Sequence, residues 1–231
     1  MAPLRTMPSS THADDCPFEI EAEYCSTCGN SLPNEDYVLF ERDVGMCVAD
    51  GIGGAPLGDA VARYACHIAM SVLREGGTTY EAVRCAGKQV KRFVTAVDSP
   101  RSGASLVVAR IDRDKLEASW AGNAAVFLLN RGEDETSLMT NLEHTQLKTT
   151  VPLCGTSQAR VGRLSTMLED GDTIVLCTDG TWRCVGNETI GKLMSEGTSP
   201  REIAARLVLG HQSDDDSTAL VARVHKHTRA T

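Results

Sequence analysis

From residue 45 to residue 54 the chain reads Gly-Met-Cys-Val-Ala-Asp-Gly-Ile-Gly-Gly. The apolar run Gly45 to Ala49 has the length and composition of a buried strand. It stops at an acid, Asp50, placed where side chains leave a core and can reach a site. Gly51, Gly53 and Gly54 then let the backbone turn sharply or pass close to something. The same pattern returns downstream: Asp172 to Gly180 is an apolar strand ending in Thr178-Asp179-Gly180. Asp214-Asp215-Asp216-Ser217-Thr218 precedes the apolar run Ala219 to Val224, and Asn34-Glu35-Asp36 precedes the strand-like Tyr37 to Phe40. Four acidic clusters therefore lie beside strands. Carboxylates brought together at strand ends suit hard divalent cations such as Mg²⁺ or Mn²⁺.

The 231 residues make one large domain or two small ones, with enough apolar residues (42%) for a sizeable core. A net charge of −8 argues against a general nucleic-acid binder. No run approaches the length of a transmembrane helix, so no membrane partner is expected. Residues 1–15 are polar and lack the apolar stretch of a secretory signal, and they read as a disordered leader before a single domain over residues 16–227. Nine cysteines, an odd number without an export signal, point to a reducing cytoplasm and to mostly buried free thiols.

Alternation predicts a half-exposed strand over Phe18 to Tyr24, a loop over Gly29 to Asn34, and a hairpin of Tyr37 to Arg42 with Gly45 to Ala49. Leu57, Ala60, Val61, Tyr64, Ala65, Ile68, Ala69, Val72 and Leu73 recur at helical spacing, and Gly76-Gly77 ends that helix. A second helix is expected from Thr79 to Val97. Strands follow at Ala104 to Ile111, Leu116 to Ala121 and Ala124 to Leu129, with a weaker one at Thr136 to Asn141. Further strands are expected at Arg160 to Met167 and Thr173 to Thr178. Short helices are expected at Asn187 to Ser195 and Pro200 to Leu209, the second capped by Ser199, before a closing strand, Thr218 to Val224. Helices in pairs around mostly antiparallel strands mean α+β.

These motifs, in this order, resemble the metal-dependent protein phosphatases of the type 2C serine/threonine class, in their short bacterial form. The matching pieces are Asn34-Glu35-Asp36, Val48 to Gly54, Ser102 to Ser105, Ala121-Gly122-Asn123, Asp172 to Gly180 and Asp215 to Thr218. The resemblance implies a four-layer α-β-β-α sandwich in which two central antiparallel sheets are flanked by helix pairs. It implies a two-metal site with Mn²⁺ or Mg²⁺, and a phosphoprotein substrate hydrolysed by a metal-activated water. By position, Asp50 would bridge both ions, Asp179 and Asp215 would bind the first, and the Gly51 carbonyl the second. Glu35 and Asp36 would hold metal-bound waters. Asp36, Asp50, Asp179 and Asp215 are thus the expected catalytic acids, and the family's usual state implies a monomer.

The chain departs from the pattern in three places. The phosphate-clamping Arg that usually precedes the Asn-Glu-Asp motif falls on Ser31, and no Arg lies between Arg5 and Arg42. Asn123 stands where an Asp usually supports a third metal, so that site is expected to be weak or absent. The segment Glu143 to Gly155 is shorter than the usual flap. Arg101 and Arg163 are the replacement clamps considered. Asp214 and Asp216 read as a solvated loop, Cys25-x-x-Cys28 as structural or incidental, and His144 and His211 as surface residues. Two alternatives stand beside the enzyme: a pseudophosphatase that binds phosphoprotein without hydrolysis, and a phosphatase dedicated to one partner, such as an anti-sigma antagonist.

Overall fold

The computed structural model describes residues 16–30, 33–52, 56–131, 135–138, 153–154 and 160–227. Expectations for the leader, for Ser31, Gly53, Gly54 and His144, and for most of the 139–159 stretch lie outside them.

Three strands open the described chain: β1 (Phe18–Thr27), β2 (Asp36–Glu41) and β3 (Gly45–Gly51). Two long helices follow, α1 (Gly58–Arg74) and α2 (Thr79–Ala96). Then come β4 (Gly103–Asp112), β5 (Lys115–Ala121), β6 (Ala125–Asn130), β7 (Glu135–Leu138), β8 (Leu153–Cys154), β9 (Gly162–Met167) and β10 (Thr173–Cys177). Three short helices, α3 (Asp179–Val185), α4 (Asn187–Glu196) and α5 (Pro200–Leu209), lead to the last strand, β11 (Ser217–Lys226). No described helix is long and apolar enough to cross a membrane. β1 is longer than its alternation predicts because all ten of its residues pair with β11. Helix α3 was not expected.

The strands form two antiparallel sheets. One runs β1-β11-β10-β6-β7; the other runs β2-β3-β4-β5-β9, with β8 against the start of β4. Strand alternation sorts the side chains into three cores. In β3, Met46 and Val48 face the other sheet, while Cys47 and Ala49 face α1 and α2. In β10 and β11, Ile174, Leu176, Leu220 and Ala222 join the middle core, and Val175, Ala219 and Val221 pack under α4 and α5. Three stacked cores require four layers, so the α-β-β-α sandwich holds.

The local signals are honoured. Thr78 and Glu81 form a reciprocal capping box at the start of α2. Ser199 caps α5, accepting from the Glu202 N–H, with Pro200 in the first turn. The thiols differ from expectation: of the eight described cysteines, all free, only Cys47, Cys66 and Cys177 are buried, and Cys28 and Cys184 are exposed.

Arg223 ties the α4–α5 connection to the sheet beneath. It is 7% exposed. Its guanidinium donates to Thr173 Oγ1 (3.1 Å), the Thr198 carbonyl (3.0 Å) and the Gly197 carbonyl (3.1 Å). Removing it strands three acceptors around a hole. Arg223→Ala is expected to cost about 3 kcal/mol in urea unfolding. A loss below about 1 kcal/mol would mean water replaces the guanidinium freely.

Candidate active site

The middle core changes character at one end. Continuing the same alternation, Asp36 precedes Val38 and Phe40 in β2, Asp50 follows Met46 and Val48 in β3, and Ser105 precedes Val107 in β4. Thr178 succeeds Leu176, and Thr218 stands two before Leu220. Four strands, and the residue just past the end of β10, thus send a polar residue into the space between the sheets at one level. Asp36 and Asp50 are direct cross-strand partners, a placement at which like charges repel.

Hydrogen bonds fix this layer. The Thr178 hydroxyl donates to Asp36 Oδ2 (2.9 Å) and accepts from the Thr218 N–H (3.0 Å). Ser26 Oγ and Thr218 Oγ1 lie 2.7 Å apart, and Asn34 Nδ2 donates to Ser26 Oγ. Asn34 Oδ1 accepts from the Asp36 N–H (2.8 Å), so the Asn of the Asn-Glu-Asp motif shapes the turn into β2. Asp36 Oδ1 is shut from water without a hydrogen-bond partner among the described residues.

Asp179 begins α3, immediately after Thr178, and is 4% exposed. Its Oδ2 accepts from Asn123 Nδ2 (2.7 Å) and pairs with Arg183 Nη1 (2.8 Å). Asn123 is itself held. Its side-chain oxygen accepts from the Ser105 hydroxyl, and its carbonyl accepts from Trp182 Nε1 (2.9 Å). Two close approaches explain the glycines after the acids. A Cβ on Gly51 would sit 2.5 Å from the Gly58 backbone at the start of α1, and one on Gly180 would sit 2.0 Å from the Asp216 carbonyl oxygen. Gly180→Ala is therefore expected to cost about 2–3 kcal/mol and to push the Asp215–Asp216 turn outward. A melt indistinguishable from wild type would show that the turn yields without cost.

Asp216, read from sequence as solvated, is a brace. Its Oδ1 accepts from the Gly29 N–H (2.8 Å) and its Oδ2 from the Glu35 N–H (2.6 Å). Asp214 is exposed as expected, yet bound to Asn30 through backbone and side chain. Glu35 is placed with its carboxylate against Gly58, where a Cβ would meet Oε1 at 2.6 Å. There the free N–H groups of the α1 N-terminus favour an anion. His211 is not a surface residue in the ordinary sense: both ring nitrogens are shut from water.

The acids press on one another. Burial and the neighbouring charges of Asp36, Asp179 and Asp215 push the Asp50 carboxyl far above the usual range, with Asp179 within hydrogen-bonding reach of it. Burial, with smaller contributions from Asp216 and Asp215, pushes Asp36 up to about 7, against the opposing hydroxyls of Thr218 and Thr178. Asp215 is raised by burial and then by Asp179. Glu35 is raised by burial and then by Asp216, Asp59 and Asp215. So Asp36, Asp50 and Asp179 are gathered, with Asp215 and Glu35 within electrostatic reach. As they stand, no three acidic, His or Cys side chains among the described residues are close enough together to wrap an ion. Asp179 is drawn to Arg183 and Asn123, and Asp36 to Thr178. The donor set still fits hard divalent cations: all its side-chain donors are carboxylates, they repel one another, and Asp36 Oδ1 has no donor.

Neither Arg considered as a clamp meets these acids. Arg163 lies over the Tyr80 ring at 5.4 Å, and Arg101 is exposed in the turn before β4. Among the described residues, the cation paired with one of these acids is Arg183, which periodicity could not flag because α3 is only seven residues long. A cleft of about 520 Å³ opens between the edge strands β1 and β2, lined by Ala22, Tyr24, Ser26, Val38 and Phe40, with Asp36 at its polar end.

A sequence profile of protein phosphatase 2C matches residues 26–198. The chain belongs to the protein phosphatase 2C family. No curated protein matches the chain. Among solved structures, the serine/threonine phosphatase PstP of Mycobacterium tuberculosis superposes with a TM-score of 0.77 at 21% identity, covering 90% of this chain and 99% of that one. A structure of the PstP catalytic domain in complex with two manganese ions gives 0.75 at 21% identity, covering 90% and 99%. PppA of Pseudomonas aeruginosa, described as a key regulatory component of T6SS, gives 0.76 at 20% identity, covering 89% and 97%. At such identities the likeness shows the fold, and the protein phosphatase 2C assignment rests on the profile.

Proposed function

We propose that the chain hydrolyses phosphoserine or phosphothreonine in proteins, with two Mn²⁺ or Mg²⁺ ions held by Asp50, the Gly51 carbonyl, Asp179, Asp215 and, through water, Glu35 and Asp36. The observation that carries this reading is the meeting of Asp36, Asp50 and Asp179 at one end of the middle core, in a member of this family. When bound, the ions would supply an acidified water as nucleophile and positive charge for the phosphoryl oxygens.

The chain's own contribution is preorganisation. Strand pairing sets Asp36 opposite Asp50. Thr178 and Thr218 orient Asp36, and Asp216 locks the Glu35 backbone to the last strand. The apolar layer of Met46, Val48, Val107 and Leu176 backs the acids, so their charges act through little water. Asn123 presents a donor to Asp179 where an acid would present another ligand, which supports a third metal site that is weak or absent. We place the activity in one domain, residues 16–227, of a monomeric cytoplasmic protein.

The test is hydrolysis of p-nitrophenyl phosphate and of a phosphothreonine peptide, with and without Mn²⁺, by wild type and Asp179→Asn. Manganese-dependent turnover absent from the variant is the expected result. No turnover with any divalent ion, from folded wild type, would refute the reading. It would favour a binding module instead, which the Arg183–Asp179 pair supports because it already gives Asp179 a positive partner. Such a module would hold phosphopeptide in the presence of a chelator.

A further inference from the structure

Arg183 has no assigned role, and its setting is unusual for a surface arginine. It lies one helical turn beyond Asp179 on α3, so both side chains leave the same helix face. It is 58% exposed, whereas its carboxylate partner is 6% exposed. The guanidinium is therefore mostly in solvent while one of its nitrogens touches a buried acid of the candidate centre. Its charge also reaches Asp215, whose carboxyl it draws downward. The guanidinium stacks over the Trp182 ring at 5.2 Å, and that ring is pinned by its bond to the Asn123 carbonyl. It is thus supported from below and open above.

We propose that Arg183 is the residue that grips the substrate phosphoryl group, in place of the arginine lacking from the N-terminal part of the chain. This inference rests on the phosphatase reading given above. The present bond to Asp179 is weak enough to exchange, because an ion pair with one partner this exposed contributes little. Asp179 Oδ2 keeps the Asn123 amide when Arg183 departs, so the exchange strands no buried oxygen. A planar guanidinium matches two phosphoryl oxygens at once, which an ammonium cannot do. Among the described residues, no other Arg or Lys pairs with a candidate acid of this centre within salt-bridge distance.

The test uses the full chain loaded with Mn²⁺ and two readouts. Calorimetry with inorganic phosphate gives a dissociation constant for wild type, Arg183→Ala and Arg183→Lys. Steady-state kinetics on a phosphothreonine peptide gives KM and kcat. Arg183→Ala is expected to weaken phosphate binding by at least about tenfold. It should lower kcat/KM to a similar degree, mainly through KM, with Arg183→Lys in between. Phosphate affinity and KM within twofold of wild type in Arg183→Ala would overturn the proposal, and a change in melting temperature alone would show a counter-ion to Asp179 and nothing more. Failure of the phosphatase reading shows separately, as wild type without manganese-dependent turnover. In that case phosphate binding still decides: loss in Arg183→Ala supports the grip, and equal or undetectable binding by both proteins overturns it.

Discussion

Asp50→Asn is expected to lower the proposed manganese-dependent phosphatase activity at least about a thousandfold, and to make the metal-free protein more stable at pH 8 than wild type. Both effects have one cause. Asp50 stands directly opposite Asp36 and within reach of Asp179, on the buried face of β3. Without a cation its charge is a cost, since burial and three neighbouring acids oppose ionisation. Asparagine keeps the volume and the strand while deleting that charge. The same charge is what a pair of divalent ions would require. Thermal melts in EDTA at pH 8, beside turnover in Mn²⁺, measure the two arms. Lower stability together with lower activity would mean that Asp50 is a structural acid with bonded partners, and would remove the reason for placing ions there.

The second large effect concerns pH. Asp36 is pushed up to about 7 in the folded protein, against about 3.9 in an unfolded chain. Between those values the native state keeps a proton that the unfolded state has released. Stability of the metal-free protein therefore falls as pH rises from about 4 to about 7, and this group adds nothing further above that. Three units correspond to about 4 kcal/mol as an upper figure. Asp50, raised further, extends the decline past neutrality. Urea midpoints at pH 5, 6, 7 and 8 in EDTA should show the fall, Asp36→Asn should flatten part of it, and Mn²⁺ should reverse it. A metal-free stability that climbs over this range would show that the acids are not crowded.

How much of this was legible in the sequence depends on how local each signal is. Asp50 was readable because an apolar run of strand length ends on it, and Asp179 because the pattern repeats. Their joint placement is what the family resemblance implies, and the alternation that points Asp36, Asp50 and Thr178 between the sheets is a period-two pattern. Asp216 reads as solvated from sequence because its partners, the Gly29 and Glu35 N–H groups, lie 187 and 181 residues away. No local property separates it from Asp214. Arg183 escaped for a different reason. A helix of seven residues is too short for periodicity to mark, so the four-residue step from Asp179 had no meaning until α3 was seen. At Gly180 the close pass of the Asp216 backbone, distant in sequence, is what excludes a side chain, and no local signal marks it.

The place of β11 carries a consequence for how the protein comes into being. It follows every other described strand in the chain, yet it lies second in its sheet, hydrogen-bonded to β1 on one flank and β10 on the other. While the chain is being synthesised, β1 has no neighbour to pair with, and β10 keeps one edge bare, until β11 has left the ribosome. Asp215 and Asp216 arrive with that strand, so the acids of residues 35–50 wait through most of translation before the brace and the last carboxylate reach them. The sheet and the acidic end of the middle core are completed in one late step, by the same strand.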